Sequence, residues 1–257
     1  MTLRFDKISV REALSGIFGA ISLASWIITI YPQLYENYRR KSGDSISLLF
    51  LWLWILGDAF SLVGSIWGKL IYTIIVIQVY YCVMDLALIF QIFYYRRRSY
   101  LRLKVKEKTF KRNTPLQALI CLLTVLVFGI LGWIITVAVG GVKKPDTQMA
   151  DSVGFLVLGY IGTALYLIAR IPQIIKNFKE KSVEGLSILF FVFTFVANIT
   201  YATSILLIDL SHRYIIINMP WLLGSLGTIS LDMTIFFQFV IYGRQKKEQK
   251  IKQENCS

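Results

Sequence analysis

Four ionisable side chains sit inside long apolar stretches of this chain: Asp58, Asp85, Arg170 and Asp232. A charge among hydrocarbon is costly, so such residues face a bundle interior or a watery path and mark routes for ions, protons or substrates. Three acids against one arginine leave the interior net negative, which suits a cationic ligand, because a carboxylate pairs with an ammonium or a guanidinium. Helical spacing places further polar groups beside them. Asn218, Trp221, Ser225, Thr228 and Asp232 recur every three or four residues, as do Gln78, Tyr81 and Asp85, then Asp58, Ser61 and Ser65, and also Thr194, Asn198 and Tyr201. Trp221 or Tyr81 could add a cation–π contact. Two roles stay open for Arg170: holding a substrate carboxylate, or neutralising an aspartate. The serines and threonines on their own are read as helix–helix hydrogen bonds.

The elements that must position these residues are membrane helices. Of 257 residues, 56% are hydrophobic and 17% charged, and the mean hydropathy is +0.60, which excludes an ordinary soluble domain. Seven segments are long enough to cross a bilayer as helices: 13–35, 46–67, 71–95, 115–142, 153–175, 186–208 and 214–242. They lack the short alternating pattern of a transmembrane barrel. The connection 68–70 is so short that the second and third segments should form a tight hairpin. The formal charge of +13 would suggest nucleic acid in a soluble protein, but here the basic residues flank apolar runs. No nucleic-acid partner is expected. The N-terminus and even-numbered loops carry 7 Lys and Arg, whereas the odd-numbered loops and C-terminal tail carry 20. Positive residues favour the cytoplasm. The tail is therefore expected to be cytoplasmic and the N-terminus on the opposite side. The basic stretch 96–112 is read as a topology-fixing loop rather than a specific lipid site. Cys82, Cys121 and Cys256 are odd in number and give no disulfide framework. Nothing in the sequence resembles a metal-ligand set, a phosphate loop or a nucleophile triad, so no catalytic residue, metal or cofactor is expected and an enzyme is disfavoured.

The chain also repeats itself. Residues 32–50 read PQLYENYRRKSGDSISLLF and residues 172–190 read PQIIKNFKEKSVEGLSILF, identical at 8 of 19 positions. In the same register Asp58 aligns with Asn198. Further on, Asp85, Phe90, Gln91, Tyr95 and Arg97 align with Asp232, Phe237, Gln238, Tyr242 and Arg244. Segments 1–3 and 5–7 are thus copies of one three-helix unit. The fourth, uncharged segment restores the orientation of the second copy. The copies then lie parallel about an axis along the membrane normal, an arrangement used by transporters with a site near the midplane. The expected organisation is an N-terminus at 1–12, a first repeat at 13–95, a basic loop at 96–114, a linker helix at 115–142, a second repeat at 153–242 and a tail at 243–257.

Tyr31-Pro32-Gln33 and Ile171-Pro172-Gln173, each near one end of the first helix of a repeat, resemble the paired motifs of the PQ-loop family. The vacuolar and lysosomal cationic amino acid transporters are the most similar branch. The matching stretches are Arg170-Ile171-Pro172-Gln173, Leu56-Gly57-Asp58, Tyr80-Tyr81 through Asp85 to Gln91, and the run 220–228 followed by Asp232 and Gln238. The resemblance implies an all-α membrane protein with a 3+1+3 parallel repeat, as in SWEET-type transporters. It further implies transport of lysine, arginine or histidine across a vacuolar or lysosomal membrane. Fold alone does not set the substrate, because proteins handling cystine or sugars share this plan.

Pro32 and Pro172 each remove a helical hydrogen bond, and their symmetry together with the resemblance identifies them as paired hinges for alternating access. Gln33 and Gln173 are expected to bond the carbonyls that the kinks release. Proton linkage asks a carboxyl to load in an acidic lumen, well above the ~3.9 of a free aspartate, and desolvation acts in that direction. Asp232 is the first candidate for the proton and Asp85 the second. Asp58, whose mate is the uncharged Asn198, is the candidate for substrate or gate. His212 is read as a solvated loop residue. The expected partners are cationic amino acids, protons and the bilayer. Two alternatives remain: a seven-helix nutrient sensor with a cytoplasmic signalling partner, and a PQ-loop transporter of another substrate such as cystine.

Overall fold

The computed structural model describes residues 9–67, 72–101, 114–139 and 153–254. The expected hairpin at 68–70 and most of the basic loop lie outside them. Among the described residues the regular structure is eight helices: α1 (Val10–Thr29), α2 (Tyr31–Arg40), α3 (Leu48–Trp67), α4 (Tyr72–Leu101), α5 (Thr114–Val139), α6 (Val153–Glu180), α7 (Ile188–Ile208) and α8 (His212–Glu254). With α1 and α2 counted as one crossing, seven are long and apolar enough to span a membrane. The protein is an all-α membrane protein with a 3+1+3 parallel repeat.

Local chemistry sets the helix ends. Ser9 and Glu12 form a capping box that starts α1: Ser9 N donates to Glu12 Oε2 at 2.9 Å, and Glu12 N to Ser9 Oγ at 3.2 Å. After each Pro-Gln helix a lysine takes the left-handed conformation, Lys41 at φ 54° and Lys181 at φ 48°. Ser42 N then reaches Asn37 O, and Ser182 N reaches Asn177 O, each at 3.3 Å. The ammonium of each lysine lies 3.4 Å from a ring centre, Tyr38 in the first half and Phe178 in the second. α4 and α8 run beyond the apolar stretches, because Arg96–Arg98 and the Lys/Gln/Glu-rich tail contain good helix formers and no proline.

The two prolines differ. Pro32 begins a new helix after a break at Ile30, and Gln33 N and Leu34 N both turn back to Ile30 O at 3.1 Å. Pro172 lies inside the continuous α6. Equivalent sequences thus differ in hydrogen bonding around the proline, while Ile30 itself keeps helical angles (φ −78°, ψ −28°).

Packing follows the repeat. α1 packs on α7 and α3 on α6, and these pairs exchange under the pseudo-two-fold axis. Within the halves, α3 lies against α4 as α7 lies against α8, and α2 against α4 as α6 against α8. The linker α5 docks mainly on α1, where Cys121 and Val125 join Ala24, Leu189 and Phe193. Its other apolar side chains, such as Leu119, Leu123 and Phe128, face outward. Lipid is as apolar as a protein core, so packing and interhelical hydrogen bonds organise the interior. The buried residues accordingly include Ser22, Gln33, Asn37, Gln173, Asn177, Asn198 and all three intramembrane aspartates.

Candidate functional site

At the end carrying the Pro-Gln motifs, the two halves clamp each other. Gln33 Nε2 donates to Asn37 Oδ1 at 2.8 Å and to Gly185 O of the other half at 3.1 Å. Its Oε1 accepts from Ser187 N at 2.7 Å. Gln173 repeats this with Asn177 Oδ1 at 2.8 Å, Ser45 O at 3.2 Å and Ser47 N at 2.7 Å. Contrary to the expectation from sequence, the glutamines do not bond carbonyls released by their own prolines; they hold the loop of the opposite repeat. Gly185 has φ +79°, and a Cβ there would come within 3.0 Å of Ser45, so glycine is required where the loops meet. Gln91 Nε2 reaches Leu34 O and Gln238 Nε2 reaches Ile174 O, both at 2.9 Å. One bond breaks the symmetry. Asn177 Nδ2 donates to Gln238 Oε1 at 2.8 Å, whereas Asn37 Nδ2 and Gln91 Oε1 are buried without partners.

Above the clamp an aromatic cluster fills the interface. Phe50, Trp54, Phe190 and Phe191 meet edge to face, with Phe50–Trp54 centroids 5.0 Å apart and Trp54–Phe190 5.1 Å. All four are buried. These rings plug the interface between the halves at this level.

The acids lie next to this plug, in two different environments. Asp232 is completely buried, and Arg170 Nε donates to its Oδ1 at 2.9 Å. Thr194 Oγ1 donates to its Oδ2 at 2.6 Å. The Arg170 guanidinium also lies 4.6 Å from the Trp54 ring centre and 5.2 Å from that of Phe50. Of its nitrogens only Nε makes a hydrogen bond among the described residues. This corner is an ion pair, electrically neutral.

Asp58 and Asp85 are 2% and 1% exposed. Their carboxyls face each other. The Tyr166 hydroxyl, from the other half, donates to Asp58 Oδ1. It also lies 3.2 Å from Ser61 Oγ. Its ring rests on Gly57, where a Cβ would meet it at 2.8 Å. Apart from each other, Asp58 Oδ2 and both Asp85 oxygens have no hydrogen-bond partner among the described residues, and Gln78 Oε1 is also buried and unpaired there. Among the described residues no Lys, Arg or His forms a salt bridge with either acid. The arrangement is a buried pair of carboxyls that face each other.

The remaining residues singled out from sequence are more dispersed. Asn198 is buried and donates to Thr194 O of its own helix at 2.8 Å. Tyr81 is the exception: it packs edge-on against Trp26, centroids 6.2 Å apart, and lies within electrostatic reach of Asp58. Asn218 donates to Tyr214 O at 2.9 Å. It lies about 21 Å from Asp232 along α8, and Trp221 about 16 Å, so neither is gathered with the acids. His212 is exposed at the start of α8. Tyr166, Phe50 and Trp54 escaped the sequence reading. The matched pairs Gln33/Gln173, Asn37/Asn177, Ser47/Ser187 and Gln91/Gln238 of the repeat were the signal of the clamp in the sequence.

Comparison with known proteins agrees with the geometry. The PQ loop repeat matches residues 14–72 and 155–212, the first two crossings of each half. The vacuolar lysine transporter of Saccharomyces cerevisiae is 33% identical, over 92% of this chain and 96% of its own length. The chain belongs to the PQ-loop repeat family. The vacuolar histidine transporter of the same yeast is 32% identical over 92% of this chain and 94% of its own. The Homo sapiens lysosomal amino acid transporter 1 homolog is 30% identical over 91% and 84%. Both repeat matches of this PQ-loop protein include a Pro-Gln motif, and one includes Asp58. Asp85 and Asp232 lie beyond them.

Proposed function

We propose that this protein carries cationic amino acids, lysine, arginine and histidine, across a vacuolar or lysosomal membrane by alternating access. One observation carries the reading: two buried carboxyls that face each other, with no cationic partner among the described residues. Uncompensated charge at that depth is costly, so the site calls for a cation. The ammonium or guanidinium of a substrate satisfies it when loaded, and a proton when empty. The names of the yeast lysine and histidine transporters point to the same substrate class, and that of the human relative to amino acids and the lysosome. Because proton and substrate compete for one pair, transport is an exchange, and a pH gradient drives the amino acid toward the acidic side.

In this scheme Asp58 and Asp85 are the carrying residues, and Asp85 precedes Asp232 as the proton carrier, since Arg170 already neutralises Asp232. Pro32 and Pro172 are the hinges, and Gln33 and Gln173 form the gate. Asn218 and Trp221 line the mouth at the other end. By the distribution of Lys and Arg, residues 1–12 are lumenal, and the loop 96–114 and the tail 243–257 are cytoplasmic. The plugged end is then the cytoplasmic one.

Substrate class is tested by counterflow. Proteoliposomes loaded with unlabelled lysine should take up radiolabelled lysine, with arginine and histidine competing and cystine and glucose not. Competition by cystine or glucose alone would contradict the reading.

A further inference from the structure

Arg170, one turn of α6 beyond Tyr166, sits in a setting more elaborate than charge neutralisation requires. Asp232 takes its Nε at 2.9 Å, and Thr194 fixes the other oxygen of that carboxylate at 2.6 Å. Trp54 and Phe50 place their rings against the guanidinium, at 4.6 and 5.2 Å from centroid to Cζ. The group is thus held by its Nε side and flanked by aromatic rings. Its outer edge, Nη1 and Nη2, donates no hydrogen bond among the described residues, although the side chain is 2% exposed. That edge presents the parallel N–H pair that matches a carboxylate in bidentate fashion. An arginine serving Asp232 alone would direct this edge at the acid rather than the single Nε.

Its position relative to the carboxyl pair is equally specific. Tyr166, which donates to Asp58, precedes Arg170 by one turn of α6, about 6 Å of rise. Trp54, which flanks the guanidinium, precedes Asp58 by one turn of α3. The residues that carry the anion receptor and the cation receptor are therefore about one helical turn apart along both α3 and α6, the order of length that separates the carboxylate from the side-chain cation in lysine or arginine.

We propose that Arg170 receives the α-carboxylate of the transported amino acid through its Nη edge, with Asp232 and Thr194 as the residues that position it. This rests on the transport reading above and adds the second half of the recognition: Asp58 and Asp85 select the positive charge, and Arg170 selects amino acids against plain amines.

The test compares lysine with cadaverine, which is lysine without its carboxylate, as competitors of radiolabelled lysine counterflow by the full-length protein in proteoliposomes. The wild type should prefer lysine by roughly 10- to 100-fold, the scale of a hydrogen bond between charged groups. The double variant Arg170→Gln/Asp232→Asn keeps the shape of the pair and removes its charge. Its preference should fall to near unity through weaker lysine binding, with cadaverine unaffected. Arg170→Lys, which retains a cation without the fork, should keep an intermediate preference and decides the matter if the double variant does not fold. A wild type indifferent to the carboxylate, or variants with an unchanged preference, would overturn the assignment. Absence of any lysine counterflow or binding by the wild type would instead remove the transport reading itself.

Discussion

Asp232 and the Asp58–Asp85 pair carry the same kind of charge in different company. Arg170 neutralises the first, and nothing in the described structure neutralises the second. Removing one partner of a buried ion pair leaves a stranded charge, which costs about 3–5 kcal/mol. Arg170→Gln alone should therefore lower the thermal unfolding midpoint in detergent, and Asp232→Asn added to it should restore most of the loss. An additive fall in the double variant would contradict the pairing. Tyr166→Phe removes the hydroxyl that donates to Asp58 while its ring still packs on Gly57. It should leave the fold intact and raise the KM for lysine roughly three- to tenfold, the effect of one hydrogen bond; an unchanged KM would show the contact to be idle. The acids were legible in the sequence because charge inside an apolar run is rare and because Asp85 and Asp232 repeat. Tyr166 was not. It is one of 14 tyrosines, its repeat mate is Trp26, and its contact with Asp58 depends on how α3 crosses α6, which the spacing within either helix does not give. The rings of Trp54 and Phe50 around Arg170 were hidden for the same reason.

The helices themselves were legible, because long apolar runs can span a bilayer in few ways. Their ends and breaks were less so. α1–α2 breaks at Ile30 while α6 passes through Pro172 unbroken, a difference the matching motifs conceal. The glutamines reach across the axis because the loops after each Pro-Gln helix turn back over the opposite half, exposing Gly185 O and Ser45 O to them. This makes the gate an element-level device. With Gln173→Ala, Ser47 N loses its buried acceptor, and the clamp should loosen. A cysteine placed at the buried Ile46 should then react faster with a maleimide added from the cytoplasmic side than it does in the parent protein. Equal rates would mean that the seal rests on the aromatic cluster instead. Pro172→Ala restores a helical hydrogen bond in α6. It should fold and reach its membrane, yet transport at least about tenfold more slowly, as expected when a gating step sets the rate. Normal flux from a correctly localised variant would exclude the hinge.

The whole molecule is two copies of one unit whose differences carry the proposed function. Asp58 replaces the uncharged Asn198, and Arg170 replaces Ile30. One half thus gains a carboxyl pair and the other gains its own cation, with the interface running between them. An unaltered symmetric dimer of repeats would have neither asymmetry. The repeat was readable from aligned polar residues, but which copy would be neutralised was not, since that required the α6–α8 packing that brings Arg170 to Asp232. The central claim is that lysine and a proton exchange at Asp58–Asp85. The most direct measurement is lysine accumulation in proteoliposomes under an imposed pH gradient, for the wild type beside Asp85→Asn. The account predicts that wild-type vesicles with an acidic interior concentrate lysine above its external level, and that the Asp85→Asn protein does not. Wild-type accumulation indifferent to the gradient, or an Asp85→Asn protein that still concentrates lysine in response to it, would contradict it.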